Sequence, residues 1–117
     1  MSKVHELSIA LGIVEAAQEE GSRHGASKII AVHLKLGPLS GVVREALEFS
    51  YDLACAGTPL AGSRLLIEET RPTMQCEQCG ERREIVSIQD FRCSVCHAPA
   101  HDLVEGRELQ VVALEIE

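Results

Sequence analysis

The chain has 117 residues, a formal net charge of −7 and only 3% aromatic residues. That length suits one domain, or one domain carrying a small module, and a hydrophobic content of 45% allows one modest, aliphatic core. The acidic balance argues against a general nucleic-acid binder, which needs a basic face for phosphates, and no segment is apolar for long enough to span a membrane.

Residues 5–20 read as an amphipathic helix. Leu7, Ala10, Leu11, Val14 and Ala17 recur at helical spacing, and Ile9, Ile13 and Ala16 widen the stripe. The N-terminus carries Lys3, His5 and Glu6 instead of an apolar run, so it does not read as a signal peptide and a cytoplasmic protein is expected. Gly21 to Gly25 breaks the helix. From Lys28 to Leu36 the pattern alternates: Ile30, Val32, Leu34 and Leu36 fall on one face, Ala31, His33 and Lys35 on the other, which predicts a half-buried strand. Gly37-Pro38 stops it, and Ser40 is placed to cap a second helix over 41–56, with Val43, Ala46, Leu47, Ser50, Leu53 and Ala54 as its apolar set. A loop from Gly57 to Gly62 leads to a second strand, Arg64 to Thr70, with Leu65 and Ile67 on one face. The last strand, 108–116, alternates through Val112, Leu114 and Ile116. So apolar a strand cannot stand alone and is expected to return to the first sheet. The predicted fold class is α+β: two helices on a three-stranded sheet, with an inserted zinc-ribbon hairpin. The expected division is 1–70 plus 107–117 for the α/β domain and 71–106 for the ribbon.

The inserted segment carries the strongest chemical signal. Cys76 and Cys79 form one Cys-x-x-Cys pair, Cys93 and Cys96 another, and thirteen residues separate them. Each pair makes a tight turn that aims two sulfurs at one point, and two such turns face four thiolates in the tetrahedron that structural zinc accepts. Gly80 suits the positive φ such a turn needs, and 84–88 can form one strand of a hairpin. A rubredoxin-like iron site has the same ligands and is the chemical rival. Disulfides are the poorer reading, because cytoplasmic thiols stay reduced. Cys55 has no sequence partner and reads as a small buried hydrophobe on the second helix. His24 and His33 read as solvated surface residues. His97 and His101 follow the last cysteine pair; neither is needed to complete the site, but His97 is a candidate to hydrogen-bond or replace a thiolate.

His5 stands at the start of a helix near the terminus. An imidazole nitrogen with nearby main-chain amides is what square-planar nickel(II) or copper(II) accepts. Taken alone, His5-Glu6 reads as a polar helix start, with Glu6 complementing the dipole, and not as a metal site. The wider pattern is more specific. His5-Glu6-Leu7-Ser8 opens a helix, two cysteine pairs follow in an insertion, and Gly106-Arg107-Glu108-Leu109 introduces a closing strand. Together, from Val4 to Glu117, these resemble the hydrogenase/urease nickel incorporation proteins of the HypA/HybF family.

The resemblance implies a cytoplasmic nickel metallochaperone without enzymatic activity. It implies nickel as transient cargo at His5, through ring and own amide, and at Glu6, through a main-chain amide with the carboxylate as a further candidate. It implies structural zinc at Cys76, Cys79, Cys93 and Cys96. The implied partners are a GTPase nickel accessory protein, the large subunit of nickel-iron hydrogenase and, in some members, urease accessory proteins, with no nucleic acid or membrane. The competing function is a zinc-ribbon interaction adaptor without nickel selectivity. One departure stands out: in the family the His-Glu pair directly follows the initiator methionine, whereas Met1-Ser2-Lys3-Val4 precede it here. A start at Met1 or Ser2 leaves the terminal amine three or four residues upstream of His5. A GTG start codon at Val4 would restore the family pattern.

Overall fold

A computed structural model describes the backbone of residues 3–117 and the side chains from residue 5 onward, and the choice of Met1 or Val4 as start lies outside the described residues. The elements are α1 (Lys3–Arg23), β1 (Ile29–Leu36), α2 (Arg44–Cys55), β2 (Arg64–Glu69), β3 (Thr73–Cys76), β4 (Glu81–Ser87), β5 (Asp90–Cys93), β6 (Leu103–Glu105) and β7 (Leu109–Ile116). They form two sheets, a three-stranded one in the order β2-β1-β7 and a four-stranded one in the order β5-β4-β3-β6. By contact the chain divides into two compact units. One holds α1, β1 as far as Lys35, Val42–Glu68 and Gln110–Glu117; the other holds Leu36–Gly41 and Glu69–Leu109.

The first unit is two helices packed on the three-stranded sheet. Ala10, Ile13, Val14 and Ala17 of α1 meet Leu47, Tyr51, Ala54 and Cys55 of α2 over Ile29, Val32 and Leu34 of β1. Leu65 and Ile67 of β2, with Val111 and Leu114 of β7, close the core from the sides. The Thr70 N–H donates to the Leu36 carbonyl at 3.0 Å, so β1 and β2 end side by side and run parallel, with α2 as the crossover. The Glu117 N–H donates to the Lys28 carbonyl at 2.9 Å, which places the end of β7 at the start of β1 and makes that pair antiparallel. Cys55 is buried on α2 as a free thiol. The Tyr51 hydroxyl bonds Ser63 Oγ at 2.7 Å and Cys55 Sγ lies 3.8 Å from the same oxygen, so the buried polar atoms here are paired.

Several expected faces are corrected. On β1, Ile29 and Ala31 are buried while Ile30 is 38% exposed. On β7, Val111 and Leu114 pack on the core while Val112 and Ile116 are exposed. The core takes Ile29 together with Val32, and Val111 together with Leu114. Residues three apart point to opposite faces of a regular strand, so neither strand keeps a strict period of two along its whole length. On the helices, Leu11 and Leu53 point to solvent. Ser40 is not the cap of α2. Gly41 takes a positive φ of 82°, which interrupts a helical path, and the N-cap is Val43, which has no side-chain capping bond.

In the second unit, Leu36–Gly41 lies against the segment leading into β7. Leu39 N–H donates to the Gly106 carbonyl at 2.7 Å. A Cβ on Gly37 would sit 2.2 Å from that carbonyl oxygen, so only glycine permits the approach. The four-stranded sheet is built on the β3–β4 hairpin, with Met74 opposite Arg83 and Cys76 opposite Glu81. Its core is Met74, Cys76, Ile85 and Cys93, with Phe91 and Leu103 beside them.

Candidate metal centre

Two turns of the same construction present the four cysteines. In the first, Gly80 N–H donates to the Cys76 carbonyl at 2.8 Å and Cys79 N–H points at Cys76 Sγ at 3.4 Å. In the second, His97 N–H donates to the Cys93 carbonyl at 2.9 Å, while Val95 and Cys96 N–H point at Cys93 Sγ at 3.4 and 3.5 Å. Both turns close on a positive φ, 74° at Gly80 and 64° at His97. Thus His97 occupies the left-handed position that glycine fills in the first turn, a place histidine tolerates better than most residues. The pairing of Cys-x-x-Cys-Gly with Cys-x-x-Cys-His in the sequence was the available signal for that backbone role.

The four sulfurs lie within 4.8 Å of one another. Cys76 and Cys96 Sγ are 3.5 Å apart, Cys79 and Cys93 Sγ 3.9 Å. A tetrahedron with metal–sulfur bonds of about 2.3 Å has sulfur–sulfur edges of about 3.8 Å. The donor set therefore fits one tetrahedral thiophilic ion. Backbone N–H groups from Cys96 and then Val95 hold the Cys93 thiol down to about 6. The Ala98 N–H pulls Cys96 the same way, but burial and the other three sulfurs outweigh it and push that thiol up to about 12. Cys93 is thus prepared to bind as a thiolate, while Cys96 resists ionising until a cation arrives.

A cation of the protein stands beside the site. Arg83 projects from β4, and a hydrogen bond to Cys79, helped by the charges of Glu81 and the thiols, holds its guanidinium even higher than usual. It pairs with Glu81 at 3.1 Å, and its Nε is buried without a partner among the described residues. Residue spacing gave no hint of this neighbour, since in the chain Arg83 is one of several arginines in a balanced stretch.

The structure thus brings the four cysteines together. His97 and His101 are exposed and outside the sulfur cluster. His33 is half-exposed and bonds Glu115 at 2.8 Å, and exposed His24 lies 3.2 Å from Glu20. His5 is exposed in the first turn of α1, whereas Glu6, next to it, is 1% exposed.

Comparison with known proteins agrees with this pattern. A family model described as "Hydrogenase/urease nickel incorporation, metallochaperone, hypA" matches residues 4–116. The chain is 46% identical over 114 residues to "Hydrogenase maturation factor HypA" of Roseiflexus sp. (strain RS-1), covering 97% of this chain and 93% of that one. It is also 46% identical over 112 residues to the protein of that name from Chloroflexus aurantiacus (strain ATCC 29366 / DSM 635 / J-10-fl), covering 96% and 98%. In fold it is similar to the solution structure of the Ni metallochaperone HypA from Helicobacter pylori, with a TM-score of 0.67, 18% identity, and 95% and 96% of the two chains covered. The chain belongs to the HypA family of hydrogenase/urease nickel incorporation metallochaperones.

Proposed function

We propose that this protein is a non-enzymatic nickel carrier for the maturation of nickel-iron hydrogenase, working in the cytoplasm. Nickel(II) is taken up at His5 and Glu6, and zinc is the resident ion of Cys76, Cys79, Cys93 and Cys96. The observation that carries this reading is the extent of the family match: it runs over residues 4–116 and so includes both the His5-Glu6 pair and all four cysteines.

The chemistry of the two donor sets supports the division. Four thiolates suit a soft or borderline ion and leave no open position, so zinc there supplies cross-linking of the ribbon rather than reactivity. An exposed imidazole beside the first turn of a helix offers nitrogen donors instead. The N–H groups of that turn point out of the helix end, where deprotonated amides suit square-planar nickel(II). Binding through an imidazole and amides releases protons, so mild acid loosens the cargo. A courier needs such a site: selective through nitrogen donors, and weak because few of them are protein side chains.

The reading extends to a nickel-binding portion, 1–70 plus 107–117, and a ribbon, 71–106. Its partners are a GTPase nickel accessory protein and the hydrogenase large subunit, with urease accessory proteins as a further client. His97 is proposed as a modulator of the zinc shell; zinc-edge spectra of His97→Ala unchanged from wild type at every nickel loading would exclude that role. Complementation tests the function itself. In a strain lacking its own carrier, wild type is expected to restore hydrogenase activity, and His5→Ala to keep its zinc but fail. Full restoration by His5→Ala would favour the zinc-ribbon adaptor instead.

A further inference from the structure

We infer that the Glu6 carboxylate is the N-terminal cap of α2, that it thereby ties the first turn of α1 to the start of α2, and that Glu6 offers nickel its main-chain amide alone. The nickel part rests on the function proposed above; the capping part stands on geometry.

The N-cap of α2, Val43, makes no side-chain capping bond of its own. Val43 has the extended backbone of an N-cap, φ −87° and ψ 118°, and its carbonyl accepts the Leu47 N–H at 3.0 Å. Valine, however, has no side-chain oxygen to return to the helix end, where serine, aspartate or asparagine would supply one. Glu6 supplies it from 37 residues away: its Oε2 accepts the Val43 N–H at 3.4 Å. The two helices pack against each other, so the bond joins neighbours in one core.

Burial fits this role. At 1% exposure the carboxylate is among the deepest polar groups of the unit. A carboxyl group that deep is costly unless positive charge surrounds it. Glu6 lies in the first turn of α1 and its oxygen lies at the first turn of α2. It therefore sees the positive ends of two helix dipoles, each equivalent to about half a charge.

The same facts oppose a ligand role for the carboxylate. Consecutive residues on a helix do not face each other. His5 is exposed while Glu6 is buried, so the two residues lie on different sides of the helix and imidazole and carboxylate do not converge on one ion. Oε1 is buried too, with no partner among the described residues. Bringing either oxygen to an exposed ion would break the bond to Val43.

The test uses full-length, zinc-loaded protein as wild type, Glu6→Gln and Glu6→Ala. Glutamine keeps an acceptor oxygen of nearly the same shape; alanine removes it. Hydrogen exchange at the first turn of α2 and nickel titration are read on all three. Glu6→Ala is expected to exchange about fivefold faster at Val43, the factor matching loss of a cap worth about 1 kcal/mol. Glu6→Gln is expected to bind nickel within about threefold of wild type, since it forfeits only the charge at the helix ends. Unchanged exchange in Glu6→Ala would overturn the cap. Nickel binding tenfold weaker or worse in Glu6→Gln would overturn the amide-only assignment. Should wild type itself bind no nickel, the function proposed above fails, and exchange at Val43 still decides the cap.

Discussion

Removing the metal from the four-thiol site is expected to unfold the second unit and leave the first folded. The buried core cluster between Glu69 and Leu109 is Met74, Cys76, Ile85 and Cys93, so half of that cluster consists of ligands. Burying Met74 and Ile85 is worth about 1.5–3 kcal/mol each. Ordering the backbone costs about 1–2 kcal/mol per residue, and the turns and strands between Glu69 and Leu109 offer few other buried apolar groups. A structural zinc site contributes about 10–16 kcal/mol, several times what the two side chains supply. The core of the first unit contains none of the four ligands. Amide NMR spectra recorded before and after chelation provide the assay. Signals from β3 to β6 should collapse into the narrow unfolded region, while those of α1, β1 and α2 hold their dispersion. Cys76→Ala should give the same picture without chelator. If the ribbon signals stay dispersed once all four thiols react with a thiol reagent, the reasoning is wrong, and apolar packing alone holds the ribbon.

Further outcomes follow from single residues. Arg83→Ala should accelerate metal loss to a competing chelator, because the thiolates lose a hydrogen bond and a balancing charge; a release rate equal to wild type would make Arg83 a bystander. Burial first of all holds the Tyr51 phenol and the Cys55 thiol above their ordinary values. The unfolded chain therefore ionises before the folded one as pH rises. Stability is full below the ordinary thiol range and declines above about pH 9, so the melting temperature of the first unit should fall there, and less steeply in Cys55→Ala. Gly37→Ala should destabilise the approach of Leu36–Gly41 to Gly106 by about 1–3 kcal/mol, the range of other strained backbone positions, since its Cβ would lie 2.2 Å from the Gly106 oxygen; an unchanged melting curve would show that these two segments separate freely.

What could be read from the chain depended on how local each cause was. The cysteine spacing is decided within two short turns, and the sulfurs converge as expected. The stripe of Ala10, Val14 and Ala17 is set by helical period, and it does face the core. The cap of α2 could not be read, because the group that bonds Val43 sits 37 residues away. Ser40 looked suitable only while Gly41 was assumed helical. The faces of β1 and β7 failed because a period of two was carried along each whole strand, whereas the core takes Ile29 with Val32 and Val111 with Leu114, pairs of opposite parity. Arg83 became a neighbour of the sulfurs only once hairpin register set it across from Met74.

The most direct test of the account is a nickel titration of the zinc-loaded protein, with X-ray absorption at both metal edges, run beside His5→Ala. One nickel per chain is expected in nitrogen- and oxygen-rich coordination, lost in His5→Ala, with the zinc edge still reporting four sulfurs in both proteins. Nickel bound equally by His5→Ala, or found on the sulfurs in place of zinc, would contradict it.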